Sequence, residues 1–200
     1  FCIEKDNGAK IDQQPDRSLE LAISEYAPGR IVVVNKRSYR SGGIFSFHSN
    51  FRSGCYDTPA KPFFESENYY KSIYTCPECN WMGYSSVDEC PFCGHKNINV
   101  NNVLRPWGFA PVNGIGIRES RASAEITYAE EPSYSTTPTE EEMIATEYKN
   151  LRYAKRSNDP LIVLNKGPQD TGFVVCKDCG AAIPGDRIEE LEKIGKPFKH

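Results

Sequence analysis

The sequence predicts an α+β, strand-rich chain with an inserted four-Cys zinc ribbon and a second, incomplete zinc knuckle near its end. Three observations lead there. Cys76-Pro-Glu-Cys79 and Cys90-Pro-Phe-Cys93 are two Cys-x-x-Cys pairs, ten residues apart. Short β-branched or aromatic runs recur between Gly, Pro and Asn turn signals. Cys176-Lys-Asp-Cys179-Gly180 repeats the knuckle pattern but lacks a partner pair.

The paired knuckles carry the most chemistry. A tight turn with a cysteine at each end aims two sulfurs at one point. Two such turns on adjacent hairpins complete a tetrahedron of thiolates, the donor set of a closed structural Zn²⁺ site. A disulfide framework suits a short secreted chain, whereas eight cysteines in 200 residues are not disulfide-dense. An iron–sulfur cluster also takes four cysteines, but paired knuckles at this spacing favour zinc. A thioredoxin-like pair wants a single Cys-x-x-Cys beside a βαβ pattern, which is absent. Structural zinc binding of roughly 10–16 kcal/mol matches the whole stability of a typical domain, so removing the metal should unfold this region. A closed four-thiolate site leaves no open position for catalysis.

The totals set bounds. Two hundred residues make one domain, or one with a small satellite. A hydrophobic fraction of 38% is low but globular, and with a net charge of −3 the chain is not globally basic. No apolar run is long enough to span a bilayer, and no basic-apolar leader opens the chain. Metal-ligand thiols suit a reducing cytoplasm, the expected location. Phe1 is not an initiator Met, and the chain stops soon after its third knuckle, so a fragment of something longer is expected.

Four segments follow: 1–68, a helix and a basic β-hairpin; 69–104, the ribbon; 105–160, an aromatic loop, an acidic mobile loop and a helix; 161–200, the start of a second zinc-binding domain. After a polar connector over 1–15, Asp16 is expected to cap a helix with Leu19, Ala22, Ile23 and Tyr26 on one apolar face. Pro28-Gly29 ends it. Ile31 to Val34 reads as a buried strand, Asn35-Lys36 as a turn, and Ser38 to Phe45 as a returning strand interrupted by Gly42-Gly43. A Pro-rich polar loop covers 57–68. Strands over 69–75 and 97–103 flank the ribbon. Arg105-Pro-Trp-Gly-Phe109 is an aromatic loop docking it. A short strand is expected over 124–128 and a helix from Met143 to Tyr153, carrying Ile144, Tyr148 and Leu151. The run from Glu119 to Glu147 is strongly acidic and reads as a solvated loop. Strands at 161–164 and 172–175 enclose the Asn165-Lys-Gly-Pro168 turn and run into the third knuckle.

Five cations and no acid lie between Tyr26 and Tyr56: Arg30, Lys36, Arg37, Arg40 and Arg52. Tyr39, Phe45, Phe47 and Phe51 are interleaved with them. Such a pattern suits phosphate contact and base stacking. The alternative is a solvated hairpin face over an ordinary aromatic core. Trp81 and Phe92 are expected to pack around the metal, and His95 to lie at the surface or behind the ligands. Cys176 and Cys179 are expected to open a second zinc site whose remaining ligands lie beyond the chain, with His200 a candidate third; the alternative is a reduced, metal-free cysteine pair. Cys2 and Cys55 are isolated. Gly114 and Gly116 make no dinucleotide fingerprint.

Several stretches also carry a family resemblance. Ser18-Leu-Glu-Leu-Ala-Ile-Ser-Glu-Tyr-Ala-Pro-Gly29 and Val32-Val-Val-Asn-Lys-Arg-Ser-Tyr-Arg-Ser-Gly-Gly-Ile44 resemble the segment before the MrfA-type zinc-binding (MZB) domain of helicase-associated proteins. Pro106-Trp-Gly-Phe-Ala-Pro111 resembles their aromatic loop. Val163-Leu-Asn-Lys-Gly-Pro168 with Gly172-Phe-Val-Val-Cys-Lys-Asp-Cys-Gly180 is similar to the opening of the MZB domain. Such regions occur in DrmB-type components of the bacterial DISARM anti-phage system and at the C-terminal end of DEAD/DEAH-box helicases. The resemblance implies a non-catalytic accessory role in DNA processing or anti-phage defence. Its partners would be sequence-nonspecific DNA and a helicase-like ATPase, in the same polypeptide or another, with no membrane. No phosphate-binding or Asp-Glu-Ala-His-like box is present, so any motor lies elsewhere. The rival is a protein-interaction scaffold using Trp81, Phe92 and Trp107. An enzyme in its own right is disfavoured, because His48, His95 and His200 are scattered.

Overall fold

The computed structural model describes residues 1–4, 11–45, 51–52, 55–56, 60–111, 129, 132–134, 140–155, 157 and 161–190. In chain order the elements are β1 (Ile3–Glu4), β2 (Ile11–Gln13), α1 (Leu19–Glu25), β3 (Ile31–Val34), β4 (Arg37–Phe45), β5 (Phe51–Arg52), β6 (Cys55–Tyr56), α2 (Lys61–Phe64), β7 (Tyr70–Thr75), β8 (Met82–Gly83) and β9 (Asn99–Leu104). They continue as β10 (Gly108–Pro111), β11 (Ser133–Tyr134), β12 (Ile144–Ala145), β13 (Arg152–Tyr153), β14 (Leu161–Ile162), β15 (Phe173–Val175) and β16 (Ala182–Pro184), with 3-10 turns at Glu140–Glu142, Pro168–Asp170 and Gly185–Glu190. The described chain is mixed and strand-rich, the expected class.

The chain divides into two units. The first holds residues 1–70, 104–130 and 164–200; the second holds 71–103 and 131–163. These units regroup the four sequence segments. The first unit holds the N-terminal hairpin, the aromatic loop and the third knuckle; the second holds the ribbon.

In the first unit β4 is the hub. It pairs antiparallel with β3 and with β10, and Gly43 also bridges to Ala181. The β3–β4 turn is Asn35-Lys36, both left-handed at φ 47° and 65°, the two-residue hairpin geometry that matches strand twist. Glycines 42 and 43 do not interrupt the strand. The pairing skips Gly42 between Ala110↔Gly43 and Pro111↔Ser41, so it is the extra residue of a β-bulge. Buried Ser41 donates its hydroxyl to the Tyr26 carbonyl at 2.7 Å, and the Gly29 N–H donates to the Ser41 carbonyl at 2.8 Å. These bonds tie the Tyr-Ala-Pro-Gly turn to the sheet. Phe1, Ile3, Tyr26, Val32, Tyr39 and Phe109 form one buried cluster; Ile44, Ala60 and Phe63 form another, joined by Val175 ahead of the third knuckle.

Helix α1 is shorter than its apolar pattern suggests. Ser18, not Asp16, stands at its N-cap, and no side chain caps it. Leu19 is exposed, while Ala22 and Tyr26 turn inward. The stretch after 60 is not a plain loop: α2 forms there, led by Pro62 in the first turn, where its missing N–H costs nothing.

The second unit contains the sheet of order β8-β7-β9, with the small ladders β11–β14 and β12–β13. The helix expected over 143–153 is instead a hairpin, pairing Ile144↔Tyr153 and Ala145↔Arg152. Thr146 explains the difference: its hydroxyl donates toward the Leu151 carbonyl at 2.8 Å and accepts from the Tyr148 N–H at 3.2 Å. Such local side-chain bonds compete with helix. The strand expected over 124–128 lies outside the described residues.

Candidate metal centre

Strand β7 delivers Cys76, and β8 turns back immediately after Cys79. The second knuckle sits between β8 and β9. All four sulfurs, from Cys76, Cys79, Cys90 and Cys93, lie within 4.8 Å of one another. The Cys76–Cys93 and Cys79–Cys90 sulfurs are 3.6 and 3.5 Å apart. A tetrahedron with metal–sulfur bonds of about 2.3 Å needs sulfur separations of about 3.8 Å, so these spacings fit. Cys76 and Cys90 are buried; Cys79 and Cys93 face outward.

Both knuckles are built alike. The Cys76 N–H donates to the Trp81 carbonyl at 2.9 Å, and the Asn80 N–H returns to the Cys76 carbonyl at 3.0 Å. In the second knuckle the Cys90 N–H donates to the His95 carbonyl at 2.7 Å, and the Gly94 N–H to the Cys90 carbonyl at 2.8 Å. The return residue is left-handed in each case, φ 58° at Asn80 and 73° at Gly94. This is why a small or polar residue follows each pair.

Backbone N–H groups also aim at the sulfurs: Trp81 at Cys79, His95 at Cys93, and both Phe92 and Cys93 at Cys90. They set the thiols apart. Partial desolvation, with protons shared among the other sulfurs, pushes Cys79 up to about 12 despite its Trp81 bond. At Cys90 desolvation also raises the thiol, but the Cys93 and Phe92 N–H groups together with the Cys79 and Cys93 thiols outweigh it and hold it at about 7. Four sulfurs cannot all ionise at this spacing without a cation among them.

The third knuckle repeats the frame. The Cys176 N–H donates to the Ala181 carbonyl at 2.8 Å, the Gly180 N–H to the Cys176 carbonyl at 3.0 Å, and Gly180 has φ 74°. Desolvation raises the Cys176 thiol, but the N–H groups of Cys179 and Asp178 together with the Cys179 thiol outweigh it and pull the thiol below its ordinary value. Among the described residues no third ligand joins Cys176 and Cys179. His200 lies outside the described residues.

The other singled-out residues are placed as follows. His95 serves the ribbon through its backbone, not its ring. Trp81 packs against the ribbon turn, where a Cβ on Gly83 would come within 2.5 Å of the indole. Phe92 does not pack round the metal; it is 68% exposed at the knuckle tip. Strand parity separates the cations. Arg37 lies on the same side of β4 as Tyr39, and Arg40 on the other, opposite Ile31. The Arg40 guanidinium donates to the Gly29 carbonyl at 3.1 Å. Arg30 is half-buried just before β3, and Lys36 is exposed in the turn. Arg52 falls in β5, and its side chain is outside the described residues. Tyr39 and Phe45 are buried, so neither offers a face for stacking; Phe47 is outside the described residues. Sequence reading missed α2 and the aromatic ring it helps to build. The signal was present in Lys61-Pro-Phe-Phe64, a proline followed by two large apolar residues.

These features define a class: a strand-rich protein with a four-thiol ribbon able to hold a metal ion. Comparison with known proteins narrows the kinship. The chain is 31% identical, over an alignment 201 positions long, to the Druantia protein DruE of Escherichia coli (strain UMEA 4076-1), covering 94% of this chain and 10% of DruE. It thus spans about a tenth of the length of that relative. No family model and no solved structure matches the chain. No helix among the described residues is long and apolar enough to cross a membrane.

Proposed function

We propose that this chain is a non-catalytic, zinc-binding accessory module of an anti-phage defence complex, in contact with DNA or with a helicase-like ATPase. The similarity to DruE carries the reading, Druantia being an anti-phage defence system. Zinc is the metal of choice for the ribbon because a soft, closed four-thiolate set suits it. Cys76, Cys79, Cys90 and Cys93 hold it, and it supplies a rigid cross-link rather than a reaction centre. Cys176 and Cys179 supply half of a second zinc site on the same frame, as the resemblance to the opening of the MZB domain and to DrmB-type proteins implies. Metal analysis tests this directly. Cys90→Ser should remove the ribbon zinc; a second equivalent lost with Cys176→Ser supports the second site, and no change with Cys176→Ser ends it.

The phosphate contacts are assigned to Arg30, Lys36, Arg37, Arg40 and Arg52. They predict retention on DNA that weakens steeply with salt and ignores base sequence. A flat salt series removes the DNA reading. A scaffold without DNA contact is the second reading, favoured by the exposure of Phe92 at the knuckle tip. Charge reversal at Arg37 and Arg40 separates the two: DNA retention is lost under the first, while capture of the ATPase partner survives under both.

A further inference from the structure

The first unit holds an aromatic cluster that neither the ribbon nor the basic hairpin uses. Phe63, on α2, is its buried anchor. Tyr69 meets it edge-on with ring centres 5.3 Å apart, and Trp107 stands edge-on to both, at 5.6 Å from Phe63 and 5.9 Å from Tyr69. Yet Trp107 remains 45% exposed. Its backbone is pinned on both sides. The Arg105 N–H donates to the Tyr69 carbonyl at 2.7 Å, and Gly108 enters the sheet opposite Phe45. Pro106 stiffens the short link between these anchors. A large ring is therefore held in place while presenting apolar surface to water.

Cations stand on the elements that build this cluster. Arg105 is exposed two residues before Trp107, Lys61 opens α2, and the Lys177 amine of the third knuckle lies 5.9 Å from the Phe64 ring. Lys61 forms an ion pair with Glu65 at 3.5 Å, exposed on both sides and so open to exchange for a phosphate. A rigid exposed ring on a part of the fold that also carries cations has the chemistry of a single-strand platform, with phosphates on the charges and a base on the ring.

We infer that Trp107 is a stacking face for an unpaired nucleobase, with Arg105, Lys61 and Lys177 taking the adjoining phosphates. The inference rests on the DNA-contact reading above and adds the strand type: single, not double. Trp107 contributes affinity through the base, so binding tolerates any sequence but requires bases.

The chain has two tryptophans, so Trp81→Phe leaves Trp107 as the only indole. In that background, Trp107 emission is followed during titration with fluorescein-labelled oligo-dT, and with an abasic deoxyribose-phosphate oligomer of equal length. Anisotropy reports binding of each. Oligo-dT should quench the emission saturably; the abasic oligomer should bind more weakly and leave it nearly unchanged. Trp107→Ala should weaken oligo-dT binding about ten-fold and Trp107→Phe by less, with the abasic oligomer indifferent to both. Oligo-dT binding that leaves the emission untouched refutes the platform and leaves the DNA reading standing. Equal quenching by both oligomers also refutes stacking. Binding of neither oligomer at low salt refutes the platform; if duplex DNA at the same salt is not retained either, the DNA reading falls with it.

Discussion

Replacing Gly94 by Ala should weaken metal binding about five- to thirty-fold. Gly94 holds φ 73° so that its N–H reaches the Cys90 carbonyl at 2.8 Å. A Cβ built there meets nothing within 4 Å, so crowding contributes nothing. What remains is the left-handed penalty of an L-residue, about 1–2 kcal/mol. If folding of the knuckle is coupled to metal binding, as for small structural zinc sites in general, the penalty falls on the metal-binding step. At about 1.4 kcal/mol per ten-fold, that is the stated range. Competition for zinc against a chromophoric chelator measures it. Gly94→Asn is the control, because Asn80 already holds the equivalent position at φ 58°. It should recover most of the affinity. Wild-type affinity for the Ala variant, or an Asn variant as weak as Ala, refutes the argument that this dihedral sets the knuckle.

Chelating the metal should unfold the ribbon while leaving the Phe1, Tyr26, Val32, Tyr39 cluster in place, since that core contains no ribbon cysteine. Amide exchange would show protection lost over β7–β9 and kept at β3–β4; loss of both at once contradicts this. Lys36→Gly should stabilise the β3–β4 hairpin by about 0.5–1 kcal/mol, because Lys36 sits at φ 65° where glycine escapes the Cβ penalty. A denaturant melt with a lower midpoint counts against it. Gly185→Ala should cost about 2–3 kcal/mol, because its Cβ would overlap the backbone carbonyl of Thr171. Near-neutral thermal unfolding of that variant shows that the Thr171–Gly172 loop can move.

The four-cysteine cluster was legible because each pair of its cysteines is local. A Cys-x-x-Cys turn closes through its own backbone bonds, so spacing alone predicts where two sulfurs point. The β3–β4 hairpin was legible for the same reason: Asn35-Lys36 and the flanking β-branched run are neighbours in the chain. The region from 143 to 153 was misread because its apolar spacing suits a helix, while one hydroxyl, Thr146, closes a hairpin turn instead. Helix α2 was hidden by the polar, proline-bearing stretch around it.

By itself, then, the sequence determined the strand-rich class, the four cysteines that cluster in the ribbon and the repeat of the knuckle in Cys176 and Cys179. It could not say which side chains share a surface. That depends on strand parity and on segments far apart in the chain. Only the tertiary structure put Arg37 and Arg40 on opposite sides of β4, buried Tyr39 and Phe45, and brought Phe63, Tyr69 and Trp107 into one cluster. The physical reason is range. Turn chemistry acts over a few residues, whereas burial is decided by whichever distant segment covers a face.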